Sequence, residues 1–277
     1  MVQKPADKAR ETRKRNTEAK QRKEADMKEC IAISNQKGGV GKSTTVSALG
    51  AGLFQRGYKV LYVDLDAQGN LSYSMKASNK SLSSLEVLTG TATAKEAIVQ
   101  TPQGDLIPAS TALASADALI TETGKEYRLK EALEPVRAEY DYIILDTPPA
   151  LGILTVNALT ACTSVIVPVQ ADIYSLQGIG QLAQTIATVK KYCNPALSIK
   201  GILATRYKGR AILTKDMTEL LENTASQLHT KLYKTRIRDT IAIPEAQASQ
   251  QDIFTYSPRS NATADYRAFI EEVLEER

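Results

Sequence analysis

"SNQKGGVGKST", Ser34 to Thr44, is the stretch whose reading decides the fold. The glycine-rich phosphate loop has the pattern G-x-x-x-x-G-K-[ST]. Here Gly41, Lys42 and Ser43 supply its end, but Gln36 stands where the first glycine belongs, and a second lysine, Lys37, follows it. Gly38, Gly39 and Gly41 lack Cβ, so the backbone around Val40 can turn sharply and aim its N–H groups at phosphate oxygens. A helix beginning at about Lys42 adds its positive end. In such a loop Lys42 reaches the β and γ phosphates and Ser43 ligates Mg²⁺. Residues Lys37 to Thr44 are therefore the nucleotide-binding candidates.

The flanks support this reading. "CIAIS" (30–34) is a short apolar β-branched run, as a buried strand requires. "STTVSALGAGLFQRG" (43–57) spaces its apolar residues helically and stops at Gly57. "YKVLYVDLD" (58–66) is a second buried strand, completing a βαβ crossover. Further strands are expected in "YDYIILDTPP" (140–149), "CTSVIVPVQ" (162–170) and "LSIKGILATRY" (197–207). Long amphipathic helices are expected over 175–192 and 212–232, and a last one closes the chain. Strands that alternate with helices and read as continuous apolar runs predict a mainly parallel sheet covered on both faces. The fold class is α/β: one P-loop NTPase domain over 30–277, preceded by a charged extension over 1–29. Between Ser81 and Gly124 the pattern is weak and predicts short helices.

A phosphate loop needs a carboxylate at the end of another buried strand to hold Mg²⁺ through water. Asp146, after four apolar residues, is placed for it. "DLDAQGN" (64–70) follows the strand after the loop's helix, so it emerges at the same sheet edge. Hydrolysis needs a group that orients water in line with the γ-phosphate. Asp66 is the candidate, with Asp64 and Gln68 near Mg²⁺ and the phosphates. From the residues alone the catalytic candidates are Lys42 and Asp66, and the metal set is Ser43, Asp64 and Asp146.

Composition narrows the alternatives. No apolar run approaches the ~20 residues of a membrane helix, and the N-terminus has no apolar signal segment, which points to the cytoplasm. Cys30, Cys162 and Cys193 are scattered with no C-x-x-C pair, so they read as reduced thiols near strand or helix ends. His229, the sole histidine, is expected at a helix end or on the surface. The net charge of +4 is uneven: residues 1–28 hold ten Lys/Arg against five acids, +5, leaving −1 for the rest. That extension cannot bury a face of its own. It reads as a solvated leader, a nucleic-acid-binding arm or a partner-docking helix.

"KGGVGKST", "VDLDAQGN" and "YDYIILDTPP" at these spacings resemble the deviant Walker A ATPases, and most of all the ParA/Soj partition proteins. The resemblance spans about residues 30–277 and extends to "VPVQADIYSLQGI" and "YSPRSNATADY". It implies an ATPase that hydrolyses ATP with Mg²⁺ in DNA segregation. In that family the lysine matching Lys37 crosses a dimer interface to the partner's phosphates, so a homodimer enclosing ATP is implied. A catalytic role for Lys37 comes only from this resemblance. Asp66 matches the family's hydrolytic aspartate and Asp146 its Walker B aspartate. The family binds DNA non-specifically as ATP dimers, is stimulated by a ParB-type partner, and works in the cytoplasm on the nucleoid.

DNA-binding candidates are Arg206, Lys208 and Arg210 in "TRYKGR", read as a βα loop, and Lys234, Arg236 and Arg238 in "TKLYKTRIRD". Such clusters suit phosphate contacts without base reading. The second segment departs from the family: in "RDTIAIPEA", Asp239 and Ala242 fall where relatives carry arginines. The basic extension is expected to compensate. A membrane-positioning relative of MinD type would need a basic amphipathic C-terminal helix; the last helix carries Asp265, Glu271, Glu272, Glu275 and Glu276, and its apolar Tyr266, Phe269, Ile270, Val273 and Leu274 read as core. An iron-protein reductase of the nitrogenase type would need paired cysteines. A nucleotide-gated switch with little turnover remains the third alternative.

Overall fold

The structure, a computed structural model, describes residues 29–77, 81–170, 173–207 and 213–275. Among these residues eight strands, β1 (Glu29–Ile33), β2 (Val60–Asp64), β3 (Val99–Thr101), β4 (Gly104–Ile107), β5 (Tyr142–Asp146), β6 (Ser164–Gln170), β7 (Ser198–Tyr207) and β8 (Leu232–Arg238), form one sheet in the order β3-β4-β2-β5-β1-β6-β7-β8. All pairings are parallel except β3 with β4. β1 lies between β5 and β6, and β2 lies beyond β5.

Alternation along β1 shows why the sheet is covered twice. Ile31 and Ile33 point into one core with Val46, Leu49 and Phe269, whereas Cys30 and Ala32 point into the other with Leu133, Ala158 and Leu182. The first core packs helix α1 (Lys42–Phe54) and the terminal helix, Asn261–Glu275, against the sheet. The second packs helices 128–137, 153–161 and 173–192. Tyr266, Phe269, Ile270 and Val273 are fully buried, so the apolar stripe of the terminal helix is core. No helix among the described residues is long and apolar enough to cross a membrane.

Helix α1 carries glycines in its interior, where they weaken a helix. The reason is contact: a Cβ at Gly50 would stand 2.2 Å from the Tyr62 ring. That ring is fully buried and its hydroxyl donates to the Gln103 carbonyl, so it cannot yield cheaply. Ala at position 50 gains about 1 kcal/mol of helix propensity, but such overpacking costs about 1–3 kcal/mol or more. Gly50→Ala should therefore lower Tm in a thermal melt; a rise would show that the helix shifts freely.

Three strands lie outside the sequence expectation. β3 (Val99–Thr101) and β4 (Gly104–Ile107) occupy the segment read as short helices, which does also contain helices at 84–89, 94–97 and 116–119. β8 (Leu232–Arg238) forms the far edge of the sheet beside β7 (Ser198–Tyr207). Its exposed edge is protected from pairing with another chain. Glu272 of the terminal helix accepts from the backbone N–H groups of Lys234 and Thr235, and Asp265 accepts from that of Arg238. These two acids of the helix's polar face thus close the sheet edge. Cys30 and Cys162 are buried at strand and helix ends, Cys193 is half-buried after a helix, and all three are free thiols. His229 is exposed just past the helix at 213–227.

Candidate functional site

Everything central to the site leaves the carboxyl end of the sheet, where open α/β sheets bind ligands. The loop after β1 is tied to its neighbours at each turn. Asn35, fully buried, donates through Nδ2 to the Pro168 carbonyl (2.7 Å) and accepts from the Lys37 N–H (3.0 Å). Thr205, at the end of β7, donates to the Val40 carbonyl (2.7 Å). Gly41 sits in the left-handed region (φ 87°) as the residue before α1, a conformation that glycine adopts without strain. Gly178, on the helix after β6, packs against this loop, and a Cβ there would meet Asn35 Oδ1 at 3.3 Å. The loop is therefore rigid before any ligand arrives.

Lys42 is nearly buried, and its ammonium donates to the Lys37 carbonyl (3.3 Å). Burial pulls its pKa below the ordinary lysine range, while Asp146 and Asp66 act in the opposite direction. Asp64 and Asp146 are register partners on β2 and β5, and both are fully buried. Asp64 is used locally. One oxygen accepts from the Asp66 N–H (3.1 Å), and the other accepts from the N–H and hydroxyl of Ser72 (2.9 and 2.7 Å). Burial still pushes it up to about 6. Neither oxygen of Asp146 has a hydrogen-bond partner. Burial first, and then Asp64, push it well above the carboxylate range, against the nearby Ser43 hydroxyl and Lys42.

An unpartnered buried carboxylate beside a serine hydroxyl fits a hard cation or its water shell. Among the described residues no cluster of three or more His, Cys, Asp or Glu side chains could hold a metal alone. Asp146 and Ser43 can hold Mg²⁺ only if a phosphate and water supply the other oxygens. Asp66 is half-buried beyond this pair, its carboxylate accepting from the Gln68 N–H (3.0 Å). Gly38, Gly39, Lys42, Ser43, Thr44, Asp66 and Gln68 all line one cleft of about 600 Å³.

A second cavity, of about 470 Å³, opens from the same loop at Gly39, Gly41 and Thr44. Thr205, Ile237, Thr240, Ile243, Pro244 and Tyr266 wall it. Sequence reasoning treated "RDTIAIPEA" only as a departure from a basic pattern. In the fold this segment, with its charged Arg238 and Asp239, walls the second cavity together with Arg206.

Residues 28–199 match a family model described as an AAA domain. Over 252 residues the chain is 40% identical to the sporulation initiation inhibitor protein Soj of Bacillus subtilis, covering 89% of this chain and 98% of that one. To the chromosome partitioning protein ParA of Myxococcus xanthus it is 36% identical over 249 residues, with coverages of 88% and 87%. The chain belongs to the ParA/Soj family of P-loop partition ATPases. A solved structure from Mycobacterium smegmatis, described as cobyrinic acid a,c-diamide synthase with bound ADP and magnesium, superposes with a TM-score of 0.79 at 35% identity, covering 90% of this chain and 95% of that one. A plasmid partition protein of Borrelia burgdorferi bound to AMPPNP shares the fold, with a TM-score of 0.75 at 22% identity and coverages of 90% and 99%.

In this ParA/Soj chain the basic candidates are engaged unevenly. Arg206 is the penultimate residue of β7 rather than part of a loop. It sits at φ 49° and pairs with Asp239 at 3.5 Å. Lys208 and Arg210 lie outside the described residues, as does the extension 1–28. Lys234, Arg236 and Arg238 alternate along β8 and share one side of it. Arg238 is held by both Asp265 oxygens (2.6 and 2.9 Å), and Arg236 stacks on Tyr207 and donates to its hydroxyl (2.8 Å). Lys234 is exposed. Of the site residues outside the sequence expectation, Thr205 and Gln247 act from distant segments, whereas Asn35 and Ser72 lie close in sequence to the groups they hold. Only "SN" before the loop carried a local signal, because Asn side chains close turns on their own backbone.

Proposed function

We propose that this chain is a Mg²⁺-dependent ATPase of DNA segregation, which closes into a homodimer around ATP, binds DNA non-specifically in that state and is stimulated by a ParB-type partner. The observation that carries the reading is Asp146, buried and unpartnered beside Ser43 and next to Lys42. Mg²⁺ held by Ser43 and, through water, by Asp146 would neutralise charge between the β and γ phosphates. The loop N–H groups and Lys42 bind the phosphates, the second cavity takes the adenine, and Asp66 orients water at the γ-phosphate. Asp64 sets the position of Asp66 through its N–H. The bound nucleotides and magnesium of the Mycobacterium smegmatis structure support this ligand pair.

Dimerisation rests on Lys37. Its lysine adds charge at a neighbour's phosphate only when ATP and a second subunit are both present, which couples nucleotide state to assembly. DNA affinity built from two weak half-sites then rises steeply on dimerisation. Arg238 and Arg206 are paired to acids, so Lys234, the basic extension and the candidates Lys208 and Arg210 are the parts proposed to attract DNA phosphates.

Steady-state ATPase assays on the wild type and Asp66→Ala, with and without DNA and the partner, test the enzyme. The wild type should exceed the variant in every condition and respond to both additions; equal rates would leave only a nucleotide-gated switch. In the same preparations, removing residues 1–28 should flatten the salt dependence of DNA binding, since each lost phosphate contact lowers the slope by about one. An unchanged slope would place DNA contact on the body of the domain.

A further inference from the structure

We propose that Gln247 and Gln250 form a polar strap across the outer side of the phosphate cleft, holding the helix of the phosphate loop and the Asp66 turn at a fixed separation. The inference rests on the proposed ATPase reading. It gives these two glutamines a positioning role in hydrolysis.

The short helix Ala242–Ala248 lies over the mouth of the cleft, and Gln247 lines it. Gln247 Nε2 donates to the Thr44 hydroxyl at 3.1 Å. A hydroxyl that accepts keeps its own proton to donate, so this contact turns the Thr44 O–H toward the anion side of the loop. Two residues beyond the helix, Gln250 Nε2 donates to the Tyr73 carbonyl at 3.0 Å. Tyr73 belongs to the single helical turn Asn70–Ser74 that continues directly from Asp66. The Gly69 N–H donates to the Asp66 carbonyl (2.8 Å), and the Tyr73 N–H donates to that of Gly69 (2.8 Å). Asp64 grips this turn from below through Ser72. Gln250 grips it from above. One wall of the cleft is thus joined to the other through two side-chain amides three residues apart.

The backbone at Gln250 indicates that the contact is selected rather than incidental. Gln250 has φ 51°, and its N–H closes the end of the short helix on the Gln247 carbonyl (3.0 Å). Helix ends of this kind favour glycine or asparagine, because a longer L side chain there costs roughly 1–2 kcal/mol. A glutamine at this position accepts that strain and delivers an amide to Tyr73. Fixed reacting geometry matters at this scale, since a displacement of about 1 Å can cost about a hundredfold in rate.

Gln250→Gly separates the two roles. It relieves the backbone, so the melting temperature should stay level or rise, and it removes the strap. The expected result is a kcat about tenfold lower with KM for ATP within about twofold, the pattern of an interaction that matters only at the transition state. Hydrogen exchange at the amides of Gly69, Tyr73 and Met75 should accelerate in the protein without nucleotide. Gln247→Leu, which keeps the bulk and loses the donor, should instead raise KM through Thr44. Wild-type kcat in Gln250→Gly, or unchanged exchange over residues 66–76, overturns the strap. If the wild type hydrolyses no ATP, the ATPase reading falls on its own account. Exchange then decides the strap: acceleration upholds it and no change removes it.

Discussion

A Lys37→Ala protein should bind ATP with nearly wild-type affinity and hydrolyse it at least about a hundred times more slowly, because a charge supplied in trans to a γ-phosphate is worth about 10³–10⁵ in kcat. The argument starts from what the Lys37 backbone already does. Its carbonyl receives the Lys42 ammonium, and its N–H is bonded to Asn35, which is itself anchored on β6. None of these three contacts uses the Lys37 side chain, so alanine keeps all three and leaves Lys42 in place. What is removed is a half-buried ammonium on a rigid turn. Binding by a fluorescent ATP analogue should therefore persist, whereas ATP should no longer produce dimers in size-exclusion chromatography with light scattering. Lys42→Ala should fail earlier, at nucleotide binding. If Lys37→Ala hydrolyses ATP normally, or dimerises with ATP as the wild type does, Lys37 acts only within its own subunit or not at all.

The parts of this architecture that were legible in the sequence are those in which one short segment carries its own signal. β1, β2, β5 and β6, and the buried centre of β7 at 201–205, lie inside the sheet and are covered on both faces, so each reads as a mainly apolar run. Asp146 and Asp66 follow such runs directly, which fixes them at the carboxyl edge. β8 obeys a different rule. Tyr233 and Ile237 are buried while Lys234 and Arg238 are exposed, a period-two pattern on an edge strand. Its basic residues read in sequence as DNA-binding candidates rather than as a strand, and the acids that tie it down, Asp265 and Glu272, stand some 30 residues later. β3 is an edge strand of three residues with none buried, and β4, though buried at Leu106 and Ile107, is only four residues long. The second cavity was illegible for a related reason. Its wall brings the end of β7, the end of β8 and Tyr266 together, and no single window contains them.

Asp146→Asn should be inactive and, without nucleotide, more stable than the wild type at pH 7.5. The wild-type carboxylate is fully buried, has no well-formed hydrogen bond beyond the nearby Ser43 hydroxyl, and stands beside a second buried carboxylate on the neighbouring strand. Leaving a buried polar group unsatisfied costs about 1–3 kcal/mol, and more when it is charged. For a chain of this size each kcal/mol moves Tm by roughly 2–4 °C. The pH dependence follows from the sign of the shifts. Asp64 is raised to about 6, and Asp146 is also raised, by burial and by Asp64. The folded protein therefore binds more protons than the unfolded chain between the ordinary Asp value of about 3.9 and the raised values. Its stability falls as pH rises through that window and is greatest on the acid side. The asparagine variant lacks one of the two charges, so its advantage in Tm should shrink as the pH is lowered from 8 toward 5. Mg²⁺ with ADP should reverse the order, since the cation that satisfies Asp146 raises the Tm of the wild type and not that of the variant. A variant that melts below the wild type at pH 7.5, or a Tm difference independent of pH, would mean that Asp146 is held by the fold itself. On the proposed reading, metal and nucleotide give the buried Asp146 carboxylate the partners that the fold does not.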